Sequence, residues 1–73
     1  MEEQLRKIYY AINIGWSDRD QAYLANVPEL PGCHTHGDTY EEALKNALEV
    51  IELWLETATD LGWPIPQPQS IAV

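Results

Sequence analysis

Cysteine is almost missing from this chain. Cys33 stands alone, so no internal disulfide can form, and a reducing compartment suits such a protein. Basic residues are scarce too. Four lysines and arginines face twelve aspartates and glutamates, a formal net charge of −8. Nucleic-acid binding runs on cationic contacts to phosphate, so this chain alone is disfavoured as a nucleic-acid binder. No stretch approaches the ~20 apolar residues of a membrane-spanning helix. The first residues, Met1-Glu2-Glu3-Gln4, are acidic and lack the apolar core of a secretory signal. These absences together predict a cytoplasmic protein with no membrane partner. Repeats and low-complexity segments are also absent.

What is present is a chain of 73 residues, the length of one domain. Its 45% hydrophobic and 10% aromatic content exclude a disordered segment. A domain this small buries only about 60% of the surface its unfolded chain exposes. Self-association would add to that burial, and a homo-oligomer is expected. The acidic surface has two readings. It keeps a small protein soluble, and it steers a basic protein partner toward it.

The pattern of residues predicts an α+β domain in the order β-β-β-α-β. Residues 7–16 alternate, with Ile8, Tyr10, Ile12, Ile14 and Trp16 on one face, which is a strand signal. Ser17-Asp18-Arg19-Asp20 is a polar turn, and residues 21–27 form a second strand, making an antiparallel hairpin. Pro28 and Pro31 remove two backbone donors and interrupt the sheet. Residues 33–36 are short enough for an edge strand, closed by Gly37 and Asp38. Thr39-Tyr40-Glu41-Glu42 reads as a capping box, in which the Thr39 hydroxyl takes the Glu42 N–H and the Glu42 carboxylate takes the Thr39 N–H. The apolar stripe Ala43, Leu44, Ala47, Leu48, Ile51, Trp54, Leu55, Ala58, Leu61 then predicts one long helix over about 40–61. Gly62 is placed for a left-handed cap and Pro64 for a stop. The helix is expected to pack on the Ile8/Tyr10/Ile12/Ile14 face. Residues 70–73 are expected to form a fourth short strand, parallel to its neighbour after a right-handed crossover.

The segment Val27-Pro28-Glu29-Leu30-Pro31-Gly32-Cys33-His34-Thr35-His36-Gly37-Asp38-Thr39, followed by Tyr40 to Leu44, resembles the HicB family. Antitoxin domains of that family show a pattern like P-x-L-P-G-C-x-T-x-G-D-T-x-x-E-A. Here it is filled at Pro28, Leu30, Pro31, Gly32, Cys33, Thr35, Gly37, Asp38, Thr39, Glu42 and Ala43. The Tyr/Ile-rich leading strand, the Leu53-Trp54-Leu55 run and the Pro64 to Pro68 exit are similar as well. The resemblance covers nearly the whole chain. It implies a partial ribonuclease-H-like fold, with a small sheet and one helix on one face. It also implies a role in toxin–antitoxin systems, where HicB proteins neutralise HicA, a small basic toxin that cleaves RNA with a histidine. Many HicB antitoxins carry a C-terminal DNA-binding domain. This chain ends at Val73, where such a domain would start, so a short form without it is expected.

On a strand, His34 and His36 share a face, with Cys33 and Thr35 on the other. Two histidines fall short of the three or four ligands zinc needs, so no metal and no cofactor is expected there. The bland alternative is two solvent-facing imidazoles and a buried thiol. Glutamate pairs along the helix read as a solvated face. The first strand offers no carboxylate between residues 7 and 17, only Asn13, so the metal-holding cluster of a working ribonuclease H is not predicted and the protein is not expected to be an enzyme. Trp54 lies on the helix stripe and reads as core. Trp16 and Trp63 lie at element ends and are candidate interface anchors. With Glu29, His34, His36 and Asp38 they make the predicted partner-binding set. Two functions follow. The first is an antitoxin covering a HicA-type toxin. The second is a stand-alone oligomeric binding module with a small ligand or metal at His34/His36.

Overall fold

The computed structural model describes residues 9–68. Strands β1 (Asn13–Ser17), β2 (Ala22–Asn26) and β3 (His34–Gly37) are followed by helix α1 (Tyr40–Leu61). The sheet is antiparallel, in the order β1-β2-β3, so the middle strand in sequence is also the middle strand in space. The helix covers one face of the sheet. This is the predicted α+β order as far as Leu61. The fourth strand expected at 70–73 lies outside the described residues.

The first strand is shorter than its alternation suggests. Pairing begins at Asn13, and residues 9–12 run beside the sheet without joining it. The reason is visible at Ala11, whose N–H donates to the Glu29 carboxylate (2.9 Å) instead of to a neighbouring strand. Alternation records which side chains are buried, and Tyr10 and Ile12 are indeed packed against the core. It does not record whether a backbone partner exists. The hairpin loop runs from Asp18 to Gln21. Gln21 takes a left-handed φ of 53°. Its side-chain amide donates to the Asp18 carbonyl (2.7 Å), and the Ser17 hydroxyl accepts the Asp20 N–H (3.1 Å).

The proline segment is a closed loop. Val27 N–H donates to the Cys33 carbonyl (3.0 Å), Leu30 N–H to Val27 (3.1 Å) and Cys33 N–H to Leu30 (3.0 Å). Gly32, at φ 75°, supplies the left-handed turn that the closure requires. Leu30 is turned inward and fully buried with Val27, Cys33 and Ile51. A connector loop therefore supplies one of the largest core side chains.

The helix obeys its local signals. Thr39 is the N-cap, its hydroxyl accepting the Glu42 N–H (3.0 Å). The reciprocal half of the capping box is shifted by one residue. The Glu42 carboxylate accepts the N–H of Asp38 (2.6 Å), not that of Thr39, because Asp38 sits at the bend between β3 and the helix and presents its amide there. At the other end Gly62 is left-handed (φ 73°), with Trp63 N–H on the Ala58 carbonyl (2.8 Å) and Gly62 N–H on Thr59 (3.4 Å). This is the paired closure of a Schellman motif.

The buried spine of α1 is narrower than the predicted stripe: Ala43, Ala47, Ile51 and Ala58 are buried, while Leu44 and Leu61 are exposed. Tyr10, Ile12 and Ile14 pack against the clusters that hold Ala43, Ala47 and Ile51, as expected of that face, and the helix meets β3 and β2 more extensively than β1. Gly37 explains the closeness to β3. A Cβ built there would lie 2.5 Å from the Ala43 nitrogen and 2.9 Å from its Cα. The missing side chain lets the first turn of the helix rest on the β3 backbone.

Candidate partner-binding surfaces

Three surfaces carry the residues of interest. The first is at the hairpin end. Register places Trp16 opposite Tyr23, and Tyr23 opposite Gly37. Trp16 and Tyr23 meet edge to face, centroids 5.2 Å apart at 70°, and Tyr23 meets Tyr40 of the first helical turn at 5.7 Å and 66°. The result is a ladder of three rings across two strands and the helix. Its outer members are half exposed, Trp16 at 50% and Tyr40 at 53%. The Trp16 indole N–H donates to the Asp18 carboxylate (3.1 Å), which holds the ring in place. Asp38, two residues before Tyr40, and Glu41, the residue after it, are exposed.

The second surface is the sheet face away from the helix. His34 and His36 are both exposed, in register with Asn26 and Leu24. They share a face as predicted. Cys33 lies in the core, where burial pushes its thiol above its ordinary pKa. Among the described residues, no three His, Cys, Asp or Glu side chains come together as a metal site.

The third surface is at the helix exit. Trp54 is half-buried, its indole N–H on the Pro31 carbonyl (2.9 Å), and it packs on Trp63 at 6.0 Å. With Pro31, Pro64, Ile65 and Pro66 these rings line an apolar cleft of about 510 Å³. The Tyr10 hydroxyl donates to the Pro66 carbonyl and ties the exit segment to the body. Burial, and then the charge of Glu29, raise the Tyr10 pKa above its ordinary value.

The six residues picked from sequence therefore do not converge. Trp16 and Asp38 lie at the hairpin end, His34 and His36 on the open sheet face, and Glu29 and Trp63 toward the helix exit. Glu29 is engaged by the Ala11 amide and is partly a structural residue. Sequence reasoning passed over Tyr23 and Tyr40. Each is an ordinary Tyr on a strand or a first helical turn, and only the strand register makes them neighbours. Among the described residues, no helix is long and apolar enough to cross a membrane.

Comparison with known proteins gives the following. Residues 10–73 match the sequence profile of a family described as HicB_like antitoxin of bacterial toxin-antitoxin system. The chain is 38% identical over 66 residues to a UPF0150 protein of Synechocystis sp., covering 90% of this chain and 84% of that one. It is 43% identical over 58 residues to a UPF0150 protein of Thermotoga maritima, covering 80% and 76%. It is 44% identical over 50 residues to one of Thermoplasma acidophilum, covering 68% and 72%. No solved structure matches it.

Proposed function

Because this chain belongs to the HicB-like antitoxin family, we propose that it binds and neutralises a small basic ribonuclease toxin of the HicA type. The observation that carries the reading is the family match from residue 10 to residue 73, which takes in every described element except the lead-in at Tyr9. The charge supports it. A ribonuclease has to present positive charge to hold phosphates, and this chain carries −8. An acidic domain seated on that surface excludes RNA and covers the catalytic histidine. It acts by occlusion and needs no chemistry of its own.

Electrostatic steering makes such a capture fast and salt-sensitive, while apolar and aromatic contacts slow release. Both proteins would meet in the cytoplasm. Self-association belongs to the same reading, since a domain this small gains stability from any further burial. The test is to look beside this chain's gene for a reading frame that encodes a small basic protein, to express that neighbour with and without this chain, and to co-purify the two. Growth arrest by the neighbour alone, relieved by co-expression and accompanied by a stable complex, is the expected result. A harmless neighbour, or one that stays toxic beside abundant folded protein, sinks the proposal.

A further inference from the structure

The toxin reading leaves open which surface does the docking, and three are on offer. The helix-exit cleft is lined mainly by proline and tryptophan rings, and Glu29 toward that end is already engaged by the Ala11 amide. Among the described residues, the strands of the histidine face offer two imidazoles, no carboxylate and no clustered ligands. The hairpin end combines two half-exposed rings, Trp16 and Tyr40, with three exposed carboxylates, Asp18, Asp38 and Glu41.

We infer that the ladder Trp16–Tyr23–Tyr40, with the carboxylates of Asp18, Asp38 and Glu41 beside it, is the docking surface for a lysine- or arginine-bearing segment of the basic partner. The inference rests on the antitoxin reading and specifies its contact surface. Four observations support it. First, Trp16 and Tyr40 leave half their surface open, although each already contacts the inner ring Tyr23. Aromatic rings are enriched among residues that dominate protein interfaces. Second, the rings are held in advance. Edge-to-face contacts, the strand register and the Trp16–Asp18 hydrogen bond fix them, so little side-chain freedom is lost on binding. Third, a cation over an aromatic face is attracted by the ring, and nearby carboxylates pair with the same cation. Fourth, carboxylates around the rings repel phosphate, so the same surface disfavours RNA or DNA as its occupant. Of the four basic residues in the chain, only Arg19 lies in this hairpin. The charge balance at this end complements a cationic protein.

The experiment uses the full chain and its adjacent basic protein, with binding measured by surface plasmon resonance and rescue measured by growth. The double variant Trp16→Ala/Tyr40→Ala is expected to weaken binding at least about tenfold and to lose rescue, with helical circular dichroism retained. The triple variant Asp18→Asn/Asp38→Asn/Glu41→Gln keeps the rings and the hydrogen-bond acceptors. It should slow association several-fold at low salt, and the difference should shrink at high salt. It also serves if the ring variant fails to fold. Leu53→Ser, on the exposed outer side of the helix, should bind like the parent. Unchanged binding by the folded ring variant, or an unchanged association rate for the charge variant, overturns this surface while the antitoxin reading stands. Weakening by Trp63→Ala with a neutral ring variant moves the contact to the helix-exit cleft and also overturns it. If the parent chain itself neither binds nor rescues, the antitoxin reading fails and the docking surface falls with it.

Discussion

The two ends of the core are built on opposite principles. Toward the hairpin, helix and sheet meet through Ala25, Ala43 and Ala47, with Gly37 beneath the first helical turn. Toward the proline loop they meet through Val27, Leu30, Cys33 and Ile51, with Trp54 and Leu55 packed around them. Side-chain size tracks the gap to be filled. At the first end backbone rests nearly on backbone, and an added methyl has nowhere to go. At the second, large side chains fill the space, and a removed methyl leaves a hole. Close packing makes both errors costly, for different reasons. Ile12 touches both clusters and joins them into one continuous interior.

The sharpest way to break the large-residue end is Ile51→Ala. Ile51 is completely buried, and the cavity it leaves should cost about 4 kcal/mol. Chemical denaturation should show a midpoint shifted far down with little change in slope. A loss under about 1 kcal/mol would mean that the surrounding Val50, Trp54 and Leu55 collapse into the space, and that this end is not jigsaw-packed.

At the small-residue end the matching test is Gly37→Ala, expected to cost about 3 kcal/mol by overpacking. The atoms in the way are the backbone of Glu42 and Ala43. Trimming the facing side chain should therefore not help, and Ala43→Gly added to Gly37→Ala should lower stability further. Rescue by the double variant would show that side chains, not backbone, set the approach distance.

The smallest effect falls where the two elements join. Thr39→Ala removes the hydroxyl that accepts the Glu42 N–H and should cost ~1 kcal/mol in thermal unfolding. An unchanged melting temperature would leave the Glu42 carboxylate on the Asp38 amide as the main tie at this junction.

Much of the fold was legible in advance because its signals are local. Thr39, Gly62 and Pro64 mark helix ends through groups only a few residues apart, and the helix runs over Tyr40–Leu61 as predicted. Pro28 and Pro31 marked a break in the sheet, and the polar turn Ser17-Asp18-Arg19-Asp20 marked the hairpin. Family membership was legible for a related reason: turns and caps demand particular residues at set offsets.

The remaining features required the chain to fold. Where β1 begins depends on the Glu29 carboxylate taking the Ala11 amide from eighteen residues away. That Leu30 is a core residue depends on how the loop closes. Gly37 ends β3 as its position suggested, and it is also the seat of the helix, since only the packed structure brings Ala43 against it. Trp16, Tyr23 and Tyr40 become one ladder through strand register, and the six candidate partner-binding residues lie on three surfaces. The sequence alone determined the three strands, the helix and their order as far as Leu61, because caps, turns and periodicity act over a few residues. The tertiary structure decided the register, the seat of the helix and the grouping of surface residues. Those depend on which distant pairs bury surface and satisfy backbone groups together.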